Sequence, residues 1–339
     1  MKTLLFRDCI SLDDLVLVER PIPSPGPREV LLRMRAASLN FRDLAIARDG
    51  YGGLAAPLVP ISDGAGEVVA KGAGVTRFAV GDLVCPAYVV DWIDGPLREE
   101  VSRRRLGGST DGVLSEYVVV HEDAAVRAPS HLDAIEASTL PIAAVTVWQA
   151  LFADAGVRAG DTIAVQGTGG VSLFVVLLAR AAGARVLVVT RGGERASRVE
   201  RMGAVAIDAL RDPAWEARVL ELTRGRGVDV FVDVVGGEHV ARAVLATRVG
   251  GTVALVGFVG ATVASLDIPL VLRRAVTLRA ASAGSRASFE ALVRAMETTG
   301  VRPTVDRIVP FLAAREAYRV LEEGRPFGKV VIAFDEAAS

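Results

Sequence analysis

The sequence predicts an α/β protein of two parts, on three observations. From about Leu140 onward, apolar strand and helix patterns alternate; one of these strands, Thr162–Gln166, runs straight into Gly167-Thr168-Gly169-Gly170 and a long apolar helix; and the first ~125 residues carry short β-type runs separated by turn residues. Regular strand and helix alternation covers both faces of a parallel sheet, whereas clustered short strands build a β-rich body.

In the first part, Val30–Arg35 and Glu116–Val120 read as strands, with Pro21 to Pro27 as a connection between early strands. The alternating part reads as a helix near 143–155, strand 162–166, helix 171–182, strand 185–190, helix 194–202, a short strand 205–207, helix 214–223, strand 228–234, helix 238–247 and strand 252–256. A further apolar stretch, 275–281, precedes a helix at 288–297, and a strand at 328–334 closes the pattern. No period of 20 to 50 residues recurs, so repeat architectures are set aside.

Composition narrows the function. At 339 residues and 51% apolar content the chain can bury a large core and divides naturally into two domains. With 39 basic against 40 acidic residues the formal charge is −1, so no overall basic field draws it to nucleic acid or an anionic membrane. The apolar run from Val171 to Val189 is interrupted by Arg180 and Arg185 and reads as a buried helix and strand, not a membrane span. Two cysteines, Cys9 and Cys85, form no disulfide framework, and Arg7-Asp8 interrupts the start before a signal-peptide core develops, so a cytoplasmic protein is expected.

The glycine segment points to a cofactor. Glycines there let the backbone turn tightly and approach a pyrophosphate, while the free N–H groups and positive end of the next helix favour its charge. Gly167, Thr168, Gly169, Gly170 and Val171 are therefore expected to hold a dinucleotide, although the sixth position of the G-x-G-x-x-G pattern is Ser172. The next strand ends in Thr190-Arg191 where an acid would otherwise accept from a ribose 2′-hydroxyl; Arg191 and Arg195 suit a 2′-phosphate, which predicts NADPH over NADH. The alternative is that these arginines simply start a solvated helix. Gly236 and Gly257 follow later strands, where ligands of such sheets lie, and are expected beside the nicotinamide half. A rival reading takes Gly170-Val171-Ser172 as part of a hydrolase nucleophile elbow, but Phe174 stands where that motif needs glycine.

Several segments, in order, carry a resemblance: Ser38-Leu39-Asn40-Phe41-Arg42-Asp43; Pro60 to Val69 with Asp63-Gly64-Ala65-Gly66; Phe78 to Val84 with Gly81-Asp82; Leu140-Pro141 to Thr146; Gln166 to Ser172; and Phe327-Gly328-Lys329. Together they are similar to the zinc-independent branch of the medium-chain dehydrogenase/reductase superfamily, the quinone oxidoreductase and enoyl reductase side. The resemblance implies a GroES-like, β-rich catalytic domain from residues 1–126 and 285–339, a Rossmann NADPH-binding domain of doubly wound parallel sheet at 127–284, and a homodimer joined through the strand at Ala275–Ala281. An uncovered apolar edge there would otherwise invite aggregation.

A catalytic zinc needs about three thiolate, imidazole or carboxylate ligands, and a structural zinc about four. Where zinc-dependent relatives hold the catalytic ligands this chain has Leu39, Asn40, Ser62 and Ile142, the four-cysteine lobe is missing, and His121, His131 and His239 lie far apart; no metal is expected. Without a Lewis acid, charge developing on the substrate oxygen must be met by hydrogen bonds, which suits an activated acceptor. The expected reaction is hydride transfer from NADPH to a quinone or an α,β-unsaturated carbonyl. Two alternatives remain: a zinc-free alcohol dehydrogenase or ketone reductase acting as a biosynthetic tailoring enzyme, and an NADPH-binding structural or regulatory protein of weak catalysis.

By the resemblance, Asn40 and Asp43 line the floor of the active site and Asp63 stands where relatives keep an acid behind the metal. Asn40 is expected to donate to substrate or to the nicotinamide ribose, or else to cap a turn; Asp63 to order a water or a donor, or else to anchor the glycines after it. Thr146 resembles the residue that contacts the nicotinamide and Lys329 the one that reaches the pyrophosphate, while Phe41, Tyr51, Trp92 and Phe258 are candidate walls of the substrate pocket. Ile142 replaces a cysteine common in relatives, and Ala209 a tyrosine near the adenosine.

Overall fold

The computed structural model describes residues 1–48, 51 and 53–334. The chain forms two compact units, one of Met1–Val145 with Ala283–Ser339, the other Thr146–Ser282.

The first unit is built on a seven-stranded sheet. Its path runs Val305–Pro310, Lys329–Ala333, Glu29–Ser38, Asp63–Lys71, Leu83–Pro86, Ala125–Arg127, with Tyr117–His121 paired on the far part of Glu29–Ser38. The last strand of the chain lies antiparallel to an early one, with Val331 opposite Ser38 and Ala333 opposite Ala36, so both ends of the sequence belong to one body. Glu29–Ser38 and Asp63–Lys71 approach closely because glycine faces them: a Cβ on Gly64 would fall 2.6 Å from Met34 Cε, and one on Gly66 would fall 2.9 Å from the Arg33 carbonyl. Leu32, Met34, Phe6, Ile46, Leu114 and Tyr318 are among the fully buried side chains of its core.

Residues 127–145 pack with this unit, not with the nucleotide-binding part expected to begin at 127. The reason is local: the Ile142 N–H donates to Asp63 Oδ2 at 3.1 Å and Cys85 donates to the Ala137 carbonyl at 3.4 Å, tying the segment to the sheet. The helix expected near 143–155 is one helical turn, Val145–Trp148, flanked by wider π-helical turns at Leu140–Ala144 and Gln149–Asp154.

The second unit carries a six-stranded, wholly parallel sheet: Val205–Asp208, Arg185–Thr190, Thr162–Gln166, Val228–Asp233, Thr247–Leu255, Thr277–Ala280. Counted along the unit, the strand order is 3-2-1-4-5-6, the doubly wound arrangement whose order reverses beside its first strand. Thr162–Gln166 and Val228–Asp233 are buried along their whole length, as expected of central strands covered on both faces. Among the described residues no helix is long and apolar enough to cross a membrane.

Candidate active site

Two groups of residues carry chemistry, one in each unit. In the second unit, Gly167 sits at φ +75° directly after the central strand, and Gly169 precedes the helix Gly170–Ala181. A Cβ built on Gly169 meets nothing within 4 Å, so the backbone over this turn faces open space. Ser172, in the sixth position, binds the helix to the strand it follows, because its hydroxyl is 2% exposed and donates to the Gln166 carbonyl at 2.6 Å. That buried role removes it as a hydrolase nucleophile.

Arg195 Nη1 donates to Thr168 Oγ1 at 2.6 Å, which brings one expected phosphate-binding arginine onto the glycine turn. Thr190 is buried and Arg191 exposed at the strand end. The sequence reading missed Asp208, on the adjacent strand: a Cβ on Gly192 would fall 2.1 Å from its Oδ2, so the carboxylate lies against the Thr190–Gly193 turn. Arg211 Nε stands 3.5 Å from the same oxygen and the Leu210 N–H donates to Oδ1 at 3.0 Å, spreading its charge. Only tertiary pairing of the two strands brings it there.

Asp233 ends the neighbouring central strand, and its Oδ1 accepts from the N–H groups of Val235 and Gly236 at 2.8 and 2.7 Å. Gly236 has φ +76°, and a Cβ on Gly257 would fall 2.4 Å from the Val234 carbonyl, so both glycines are required by backbone approach whatever else they touch. Gln166 Nε2 is buried without a partner. Thr146, 2% exposed, opens this unit, and Phe258 is half-buried beside Gly236. The turn, the helix start and the arginines fit a dinucleotide.

The first unit holds a buried charged cluster. Asn40 precedes the helix Phe41–Ala47; its N–H donates to Asp43 Oδ2 at 2.8 Å, and the Asp43 N–H returns a bond to its carbonyl at 3.0 Å. Lys329, expected to reach a pyrophosphate, is engaged otherwise: its ammonium is 3% exposed and donates to Leu39 O and to Asn40 Oδ1, both at 2.7 Å. The cause is burial, since an ammonium without water takes the nearest oxygens. With Oδ1 occupied, the buried Asn40 Nδ2 makes no well-formed hydrogen bond but acts on the Asp63 carboxyl, whose pKa it helps to lower.

Asp63 is 0% exposed, accepts from Ser62 Oγ at 3.1 Å and from the Ile142 N–H at 3.1 Å, and lies 3.9 Å from Lys329 Nζ. Burial raises its pKa to about 6 against the opposing pull of the Lys329 charge. Burial lowers the Lys329 pKa and raises that of Asp43, whose Oδ1 accepts from Arg42 Nη1 at 3.2 Å. The sequence reading named Asn40, Asp43, Asp63 and Lys329 but did not foresee that they form one cluster.

Of the expected pocket walls, Phe41 is half-buried and Tyr51 is 41% exposed. Trp92 is core instead: it is 5% exposed, packs with Tyr88, Val89 and Ala283, and its indole N–H donates to the Gly95 carbonyl at 2.8 Å. His131 is held against the Val301 carbonyl at 2.9 Å, and His239 stacks on Trp215.

A β-rich body assembled from both chain ends, with a 3-2-1-4-5-6 parallel sheet inserted, defines an NAD(P)H-dependent oxidoreductase. Residues 26–130 match the family described as alcohol dehydrogenase GroES-like domain, and residues 170–298 that described as zinc-binding dehydrogenase. A zinc-type alcohol dehydrogenase-like protein of Schizosaccharomyces pombe is 35% identical, covering 95% of this chain and 96% of its own. The crystal structure of a putative alcohol dehydrogenase from Sinorhizobium meliloti superposes with a TM-score of 0.92 at 38% identity over 98% of each chain. That of a 2-octenoyl-CoA carboxylase reductase, in complex with NADP and 2-octenoyl-CoA, gives 0.83 at 25% identity over 98% of this chain and 87% of the other. The chain belongs to the medium-chain dehydrogenase/reductase superfamily.

The family description makes zinc a question for these residues. Leu39 and Ile142 offer no side-chain donor, Ser62 gives its hydroxyl proton to Asp63, and the cation beside Asp63 is the Lys329 ammonium. Among the described residues no three His, Cys, Asp or Glu side chains are grouped to hold a metal. These side chains do not fit a catalytic zinc.

Proposed function

We propose that the protein uses NADPH to reduce an activated acceptor, an α,β-unsaturated carbonyl or a quinone, without a metal. The observation that carries this reading is the Asn40 amide: Lys329 holds its Oδ1, and its two Nδ2 protons have the Asp63 carboxyl near one and no well-formed acceptor for the other. Leaving such a donor unpaired costs about 1–3 kcal/mol, which an acceptor oxygen placed against it would recover. A pre-aimed donor in a dry site contributes about 3–4 kcal/mol toward charge developing on that oxygen, adequate where conjugation spreads the charge.

When bound, NADPH supplies the hydride. Gly167 to Val171 and the following helix start suit its pyrophosphate, Arg191 and Arg195 its 2′-phosphate, and Thr146, Gly236 and Gly257 its nicotinamide half. Asp63 holds the Lys329 ammonium that aligns Asn40, and Asp43 fixes the backbone entry of the helix that carries it. The complex of the related reductase with NADP and an enoyl thioester supports both the nucleotide and the acceptor class.

The same reading takes the protein as a cytoplasmic homodimer. Its support is Cys9 and Cys85 as free thiols and the sheet edge Thr277–Ala280, beside which Ile268 and Leu272 are 58% and 72% exposed. NADPH and NADH oxidation measured against quinones, enals, enones and simple aldehydes tests the function. Preference for simple aldehydes, or for NADH, overturns it, and so does stoichiometric zinc lost together with activity on chelation.

A further inference from the structure

Arg42 is a buried charge to which the proposed reaction gives no role. Its side chain is 10% exposed, and Nη1 donates to Asp43 Oδ1 and to the Leu106 carbonyl, both at 3.2 Å. The opposite edge of the guanidinium is unused: Nε is buried with no partner, and Nη2 has no acceptor among the described residues. Cζ lies 4.8 Å from the centre of the Tyr88 ring and 5.9 Å from that of Tyr51. A side chain on Gly108 would crowd this edge, its Cβ falling 2.6 Å from Nη2. Burial disfavours the charge, but Asp43 and the neighbouring groups more than offset it, so the guanidinium stays protonated.

A structural anchor for Asp43 and the 106 loop needs only Nη1. Burying the second edge of a guanidinium without acceptors is costly. The Nε and Nη2 donors are coplanar and parallel, the geometry that matches the two oxygens of a carboxylate. We propose that this edge of Arg42 is a binding subsite for a carboxylate carried by the acceptor, two residues from Asn40 on the same helix start. The inference rests on the proposed reduction and adds the substrate's charge to it.

The test compares (E)-4-oxopent-2-enoate, an enone bearing a carboxylate, with its uncharged methyl ester, in wild type, Arg42→Lys and Gly108→Ala. Lysine keeps a cation for Asp43 but lacks the fork, and Gly108→Ala keeps the arginine while crowding the fork, so neither depends on surviving loss of the ion pair. The wild type should prefer the acid, and each variant should lower kcat/KM for the acid ~10-fold or more beyond any loss for the ester. Calorimetric titration of 4-oxopentanoate, the saturated product, into protein holding NADP⁺ should show the same ~10-fold weakening without any hydride transfer. Equal losses for acid and ester, or a titration that the variants leave unchanged, overturn the subsite. If neither acceptor is reduced yet product binding still depends on Arg42, the subsite stands and the proposed reaction falls.

Discussion

Asp63→Asn tests the electrostatics of the buried cluster directly. In the unfolded chain Asp63 ionises near 3.8, and in the fold at about 6. Between those values the folded protein binds a proton that the unfolded chain has released, so stability falls as pH rises through the window. A shift of about 2 units corresponds to about 3 kcal/mol, lost between roughly pH 4 and pH 6 and fully retained below it. Asparagine has no such titration, and its carbonyl still accepts from the Ile142 N–H that Asp63 now binds at 3.1 Å. Urea unfolding of the two proteins at steps from pH 4.5 to 7.5 should show the variant gaining on the wild type by about 2 kcal/mol across the range. Asp43 and Lys329 are coupled to Asp63, so loss of its charge lowers both of their pKa values and their titration adds to the difference. Parallel stability curves would mean that Asp63 is not held in the low-dielectric setting argued for it.

Asn40→Ala should lower kcat about 10²-fold and, by taking one acceptor from the buried Lys329 ammonium, cost about 1–3 kcal/mol of stability, while the helix start keeps its backbone bond to Asp43; unchanged turnover in steady-state assays would remove Asn40 from the reaction. Arg191→Ala should weaken NADPH binding about 10-fold or more and NADH binding little, and Asp208→Asn, removing the carboxylate against Gly192, should tighten NADPH a few-fold; nucleotide titrations by protein fluorescence check both. Tyr318→Phe should stabilise the protein by about 1 kcal/mol in denaturant unfolding, because the Tyr318 hydroxyl is buried without a partner beside the apolar core.

What the sequence disclosed and what it hid divide by distance along the chain. The glycine turn, its strand and its helix are contiguous, so their pattern was readable, and so was the alternation that builds the parallel sheet. The place of residues 127–145 was not, because it depends on Ile142 and Ala137 meeting Asp63 and Cys85 across the fold. Ser172 looked like a departure from a glycine pattern; its bond to the Gln166 carbonyl shows a serine making the same helix-to-strand closure by hydrogen bonding. The contacts of Asp208 and Lys329 were unreadable for one reason. Each acts on residues that only sheet pairing makes neighbours, the first on Gly192 and the second on Asn40, 289 positions away.

The cluster around Lys329 places a cation beside Asp63 in a chain whose family is described by zinc. Asp63 faces an ammonium at 3.9 Å, with the Ser62 hydroxyl at its other oxygen. Two of the three ammonium protons are directed to Leu39 O and Asn40 Oδ1, and the Asp63 carboxylate lies 3.9 Å from the nitrogen. What the ammonium does is fix the orientation of the Asn40 amide by holding its Oδ1. On the proposed reading, a neutral donor stabilises developing charge less than a metal ion does, and conjugation in the acceptor carries the remainder.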